Sequence, residues 1–348
     1  MFLFQTVRVL VMAGAGFFVA ILITPFWYRF LLKHQFKKQI RDAKLAPVFA
    51  SFHKKKEGTP TAAGVIIWGT VIILAAAFWI LSRFFDGFLK DFNFISRSET
   101  YLPLAALIIA AILGLIDDWM GVLKIGIRNG GGLKVRYKLI IYSVLAVVAA
   151  SWFYFRLGWD VLNVPFVGNF QVGIWYIPIF IFVIVASAFS ANETDGLDGL
   201  LGGVSLFSFL ALTLVAFSLH RYDLAAFGGV LVGALLAFLW FNIYPAKFFM
   251  GDTGSMSLGI TLGVITMLTN SLFFLPFFAI ILVIESLSVI IQITSKKILH
   301  RKIFLSTPIH HHFEALGWPE SQITMRFWII SAISVALGLT LFFLAKFL

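Results

Sequence analysis

The sequence predicts an all-α polytopic membrane protein: ten transmembrane helices, N- and C-termini outside, in a single integral-membrane domain over residues 1–348. Three observations predict it. The chain is 60% hydrophobic and only 12% charged. Its apolar runs are continuous over about 20 residues, the length of helix that spans a bilayer, whereas barrel strands would alternate in polarity. Lysine and arginine collect in alternate connections, as the positive-inside rule requires of the cytoplasmic ones.

The first run, 8–30, is too long for a signal-peptide core and lacks a basic leader and a small-residue cleavage site, so it counts as a span. The connection after it holds Arg29, Lys33, Lys37, Lys38, Arg41, Lys44, Lys54, Lys55 and Lys56. Runs 63–82 and 101–120 follow, joined by 85–99 with only scattered basic residues. After the third run come Lys124, Arg128, Lys134, Arg136 and Lys138. Runs 139–156 and 173–191 flank a connection in which Val161 to Val172 mixes β-favouring residues with turn formers, predicting a short outer hairpin. Runs 200–219, 224–243, 256–270, 273–294 and 326–346 complete the set, with Lys296, Lys297, Arg301 and Lys302 after the ninth. Odd-numbered spans therefore end in the cytoplasm. Distributed in this way, the net charge of +11 records topology, and no nucleic-acid partner is expected. With no cysteine in the chain, disulfides, thiolate metal sites and a cysteine nucleophile are excluded.

This parity brings five aspartates to one face: Asp117 and Asp118 in GLIDDW, Asp195 and Asp198 in NETDGLDGL, and Asp252 in FFMGDTGS. Carboxylates beside hydrocarbon are costly. Five together suit a hard cation and a phosphate-bearing substrate. Adjacent on a helix, Asp117 and Asp118 point about 100° apart, so one can meet metal or diphosphate while the other handles a proton. A bare helix end is the plain alternative, but helix C-termini favour cations. Asp195 and Asp198 share a face if the sixth helix begins there; Asp195 alone reads equally as an N-cap. Glycines 251 and 254 around Asp252 leave backbone N–H groups open at a helix start, a setting for Mg²⁺ with phosphate or for a capped turn.

The loop from Lys56 to Thr61, with Thr59, offers a cation and hydroxyls to phosphate, or is simply solvated. Gly130 to Gly132 lacks the following Gly-Lys-Ser/Thr of a P-loop. His310, His311 and His312 would point three ways on a helix, which does not suit one metal; they suit diphosphate recognition or proton transfer, or form a plain surface run. Glu285, inside the ninth run, is either functional or a pairing group within the bundle.

In this order, HKKKEGTPTAAG (53–64), GLIDDW (114–119), TDGLDGL (194–200), FNIYPAKFFMGDTGS (241–255), ESLSVIIQ (285–292) and FLSTPIHHHFEALGWPE (304–320) resemble the phospho-N-acetylmuramoyl-pentapeptide transferases. Their superfamily is that of the polyprenyl-phosphate N-acetylhexosamine-1-phosphate transferases. The aspartate strings are shared across the superfamily; PIHHHFE discriminates the family. The resemblance implies a catalytic domain in a bacterial inner (plasma) membrane, with its active site facing the cytoplasm. It implies transfer of phospho-N-acetylmuramoyl-pentapeptide from UDP to undecaprenyl phosphate, giving lipid I and UMP in peptidoglycan synthesis. It further implies Mg²⁺, a homodimer, and a lipid groove beside a bent ninth helix. By the same resemblance Asp252 holds the metal, Asp117 deprotonates the lipid phosphate or attacks directly, and Asp118 is its essential neighbour. His311 joins them as catalytic. Lys56, Thr59, Lys138, Asn192, Asp195, Asp198, Asn242, His310 and His312 fall to substrate binding. The sequence departs from the family pattern at Gly121 (usually lysine), Phe189 (usually asparagine), Glu193 (usually leucine) and Ala63 (usually glycine), with Lys124 a candidate substitute for the missing cation. Two rival readings are a transferase using UDP-N-acetylglucosamine and a secondary transporter; the latter would place its acids near the midplane of repeated halves.

Overall fold

The computed structural model describes residues 2–37, 58–96, 99–126 and 132–347. The helices run in chain order: α1 (Phe2–Lys33), α2 (Val65–Phe84), α3 (Tyr101–Val122), α4 (Val135–Ser151) and, after a hairpin, α5 (Tyr176–Thr194), α6 (Leu200–Ser218), α7 (Tyr222–Asn242) and α8 (Gly251–Leu268). A 3-10 turn, Leu272–Phe274, leads into the short α9 (Leu275–Phe278), then α10 (Ile280–Ile298), α11 (Ile309–Ala315) and α12 (Glu320–Phe347). The expected hairpin is present: β1 (Val161–Val164) pairs antiparallel with β2 (Gly168–Gln171).

Among the described residues, eight helices are long and apolar enough to cross a membrane, or nine if the pair Leu272–Phe278 and Ile280–Ile298, bent by 89°, forms one span. The remaining expected span corresponds to α8. Its Asp252, serines and threonines lower its hydropathy, yet every residue of it but Asp252 is buried. It can be polar because it faces protein rather than lipid: α3 and α5 pack along it. Helices at the periphery behave oppositely. In α1 the buried positions Arg8, Met12, Gly16, Ala20 and Thr24 recur every four residues, one stripe that packs on α7. Its other face exposes Phe18 and Phe26, much as α5 exposes Phe182 and α7 exposes Trp240; such apolar surface belongs against lipid.

The two ends of the bundle differ. At one end lie the C-termini of α3, α5 and α7 and the N-termini of α6 and α8, which carry the aspartates. At the other lie the hairpin and the turns α2–α3, α6–α7 and α8–α9. There Arg8 donates to Asp223 Oδ1 (2.7 Å) and to the Asn93 carbonyl (2.9 Å), and Glu99 accepts the N–H groups of Asp223 and Leu224 at the start of α7. Arg8, Asp223 and Glu99 thus satisfy one another and the start of α7.

Candidate active site

Asp118 is turned into the protein. Its two oxygens accept the backbone N–H groups of Asp252 and Thr253, each at 3.0 Å, so a residue of α3 caps α8. The approach is close enough to demand glycine on both sides. Gly251 sits at φ +76°, where a side chain would also strike Asp118 within 2.6 Å, and a Cβ at Gly114 would lie 2.3 Å from the Asp252 carbonyl oxygen.

Asp117, about 100° round the same helix, faces the other way. Its Oδ1 accepts Leu133 N–H at 2.5 Å, and its Oδ2 lies 2.8 Å from Lys138 Nζ. The same ammonium reaches Asp252 Oδ1 at 2.6 Å. Asn192, in the last turn of α5, donates through its amide to that oxygen and to Ser255 Oγ (3.1 Å). Lys138 therefore bridges the two carboxylates that Asp118 does not occupy. Two carboxylates meet one ammonium here, and Asp117 Oδ2 is buried without a properly aligned hydrogen bond.

The segment 195–199 is a turn, not the start of a helix. α5 ends at Thr194 and α6 begins at Leu200, with Gly199 at φ +72° between them. The expected shared helix face of Asp195 and Asp198 is thus corrected. Asp195 Oδ2 accepts Gly251 N–H (3.2 Å) and Asp198 Oδ2 accepts Ala246 N–H (3.0 Å), so the two diverge to successive parts of the 243–251 connection. Asn242 clips the same turns: its Oδ1 accepts Gly199 N–H (3.1 Å) and its amide donates to the Phe248 carbonyl (2.8 Å).

The three histidines lie on α11 and diverge as the helix geometry requires. His310 Nδ1 is 3.0 Å from Glu285 Oε2 in α10, and His311 Nδ1 is 2.6 Å from Glu314 Oε2. His312 Nδ1 accepts Leu305 N–H at 3.2 Å. His310 is fully buried, and its ring packs where a Cβ on Gly196 would lie, 2.2 Å from Nε2. Burial by itself would depress the His310 pKa; the Glu285 carboxylate outweighs it, helped by Glu314 and Glu193, and the pKa stands above its ordinary value.

Thr59 precedes a stretch stitched to the turn before Asp252, with Phe249 N–H donating to the Pro60 carbonyl (2.8 Å) and Gly64 N–H to the Met250 carbonyl (2.8 Å). Lys56 lies outside the described residues. Gly121 faces open space, so a lysine there would meet no obstacle. Lys124 makes no ion pair with the aspartates among the described residues.

Comparison with known proteins gives the site its context. Residues 100–270 match the family model described as Glycosyl transferase family 4. The chain is 36% identical over 348 residues to a phospho-N-acetylmuramoyl-pentapeptide-transferase of Chloroflexus aggregans, covering 96% of this chain and 89% of that one. A protein of the same name from Thermodesulfovibrio yellowstonii is 37% identical over 359 residues, covering 97% and 93%, and one from Anoxybacillus flavithermus is 34% identical over 332 residues, covering 95% and 97%. The chain belongs to the phospho-N-acetylmuramoyl-pentapeptide transferases. It is an enzyme, a phosphosugar transferase.

Two groups at this transferase site were missing from the residues singled out for it by sequence. Tyr142 follows Lys138 by one turn; its hydroxyl is buried without a hydrogen-bond partner, among Asp252, Lys138 and Asp117. The signal was the i, i+4 spacing from Lys138. Ser255, which receives Asn192, carried no signal beyond its place one turn after Asp252.

Proposed function

We propose that this chain moves phospho-N-acetylmuramoyl-pentapeptide from its UDP conjugate to undecaprenyl phosphate, releasing UMP and forming lipid I at the membrane. The observation that carries the mechanism is the Lys138 bridge between Asp117 and Asp252. A fixed cation between two carboxylates supports this point as the one where two phosphate-bearing substrates meet. A phosphate oxygen of the lipid bonds to the sugar-linked phosphorus of the donor, the bond from that phosphorus to the bridging oxygen breaks, and UMP leaves with the electron pair. Asp117 takes the proton of the lipid phosphate. Lys138 stabilises the charge that develops on the transferring group.

The donor set fits Mg²⁺: oxygen ligands only, with negative charge in excess. Among the described residues no three acidic or histidine side chains form a closed cage, and Mg²⁺ characteristically takes one or two carboxylates plus substrate phosphates. Asp252 would hold it, with Asp117 alongside; when bound, it supplies Lewis-acid polarisation of the diphosphate. The turns at Asp195, Asp198 and Asn242 shape the donor side, with His310 acting through Gly196 and with His311, oriented by Glu314, facing the diphosphate. His312, Thr59 and Lys56 complete the substrate contacts.

For the membrane arrangement we infer ten spans, with α8 as the buried one and the bent pair as another, both termini outside and the aspartates in the cytoplasm of a bacterial inner membrane. The basic residues at 124, 134, 136 and 138 and at 296, 297, 301 and 302 support this side for the site. A homodimer is part of the same reading.

Purified protein given UDP-N-acetylmuramoyl-pentapeptide, undecaprenyl phosphate and Mg²⁺ is expected to release UMP with equimolar lipid I, and to stop when Mg²⁺ is chelated. Asp252→Asn should be inactive while keeping the wild-type melting profile in detergent. UMP release from UDP-N-acetylglucosamine but not from the muramoyl donor, or unimpaired turnover by Asp252→Asn, would refute the reading.

A further inference from the structure

At the end of the bundle remote from the aspartates, three connections converge on a cavity of about 420 Å³. Trp159, Asp160 and Val161 line it from the hairpin side, Arg221 from the α6–α7 turn, and Thr269 and Asn270 from the turn after α8. This volume lies in the usual range for small-ligand sites, roughly 300–1,000 Å³. α8 has 18 residues from Gly251 to Leu268, so the cavity is about 27 Å from the phosphosugar-transfer site and cannot belong to it.

The cavity is a built one. Arg221 Cζ stands 5.2 Å from the centre of the Trp159 ring, which fixes the guanidinium as a cation over an aromatic face. Its side chain makes no hydrogen bond to any described residue. Its charged neighbour Glu99 already accepts two N–H groups of α7. Burial pushes the Arg221 pKa below its ordinary value, and Glu99 and Tyr176 offset only part of this. Tyr176, also near Arg221, is buried with a hydroxyl that has no hydrogen-bond partner. A guanidinium with five donors, partly withdrawn from water, calls for an oxyanion. Asp160 sets the second requirement. Its Oδ2 accepts the Gln171 amide at 2.8 Å, and as an acceptor on the lining it favours a ligand that brings a donor.

The level of the cavity points to the source of such a ligand. Trp152, Phe155 and Trp175 are exposed at this end of α4 and α5, the placement of an aromatic belt at a membrane–water interface. We propose that this cavity binds the headgroup of a membrane phospholipid: the phosphodiester on Arg221, and an ammonium or hydroxyl donor of the headgroup on Asp160. Phosphatidylethanolamine and phosphatidylglycerol satisfy both requirements. Phosphatidylcholine, whose methylated ammonium has no donor, satisfies one.

The test uses the full-length protein, delipidated in neutral detergent and titrated with each of the three lipids, with bound lipid read by native mass spectrometry. Phosphatidylethanolamine and phosphatidylglycerol should each bind about tenfold more tightly than phosphatidylcholine, the worth of one charge-assisted hydrogen bond. Arg221→Gln should weaken binding of all three about tenfold, and Asp160→Asn should remove most of the preference for phosphatidylethanolamine. Competition by soluble glycerophosphoethanolamine at equal concentration would support the site and assign it to a soluble phosphodiester rather than a lipid. Equal binding of the three lipids by the wild type would overturn the proposal, as would unchanged binding by a folded Arg221→Gln. Should Arg221→Gln not fold, the wild-type lipid preference and its loss in Asp160→Asn decide the matter without it.

Discussion

Asp117 and Asp118 are neighbours with opposite tasks, and the difference lies in what each faces. Asp118 meets the first N–H groups of α8, while Asp117 meets Lys138. Replacing Lys138 by Met leaves Asp117 and Asp252 facing each other without their shared ammonium. Lys138→Met should lower kcat by about a hundredfold or more, the scale of losing one preorganised charge, while the protein still folds; steady-state UMP release checks it. His310 carries a pH signature instead. Its folded pKa is raised above the ordinary imidazole value of about 6.5. The stabilisation from the Glu285 pair is therefore fully present below that value and is lost as pH rises through the raised one. The gap in melting temperature between wild type and His310→Gln should be largest near pH about 5.5 and narrow steadily toward pH about 9. A gap independent of pH would mean that packing alone, not the ion pair, holds this ring. The sequence showed Asp117, Asp118, Asp252 and the histidines through their motifs. It did not show that His310 would be buried, because three consecutive histidines look alike until the helix axis is placed.

Among elements, the 195–199 turn and α11 work as a unit. The ring of His310 occupies the space over Gly196, and Glu285 in α10 holds that ring. A strand of contacts thus runs from the bent span through the histidine helix to the turn that also touches Gly251. Gly196→Ala puts a methyl 2.2 Å from His310 Nε2, which the buried ring cannot yield to without leaving Glu285. The variant should lose turnover by about tenfold or more and lose about 1–3 kcal/mol of stability, the usual cost of overpacking. Wild-type kinetics together with wild-type melting would show that the turn has room the structure does not give it. Helix positions themselves were legible in the apolar runs, mostly with ends displaced by a few residues. The exception is instructive. An Asp pair at i, i+3 signals a shared face only inside a helix, and Gly196 and Gly199 postponed the start of α6 to Leu200.

On the scale of the whole molecule, charge asymmetry and tertiary structure meet. The five aspartates come from three connections that are far apart in sequence, yet all gather at one end of the bundle, and the hairpin stands at the other. Because the chain has no native cysteine, single cysteines report sidedness cleanly. A cysteine at Lys302 should resist a membrane-impermeant maleimide in intact cells and react in inverted vesicles; one at Phe166, in the exposed hairpin turn, should do the reverse. Labelling of Lys302→Cys from outside would remove the cytoplasmic assignment of the site.

By itself the sequence determined the class of the fold and the family, and it picked out the segments proposed to carry the chemistry, because hydrophobic length and motif spacing are local properties of a chain. Its basic connections also carry the proposed side of the membrane, since a basic connection is costly to translocate. Only the tertiary structure decided the partners: that Asp118 caps α8, that Lys138 joins Asp117 to Asp252, that Asp195 and Asp198 diverge, and that α8 is walled in by α3 and α5. Those outcomes depend on distances between residues up to 135 positions apart, as from Asp118 to Thr253. Burial makes each of them binding: a carboxylate withdrawn from water must find donors, and which donors are near is set by how the helices pack.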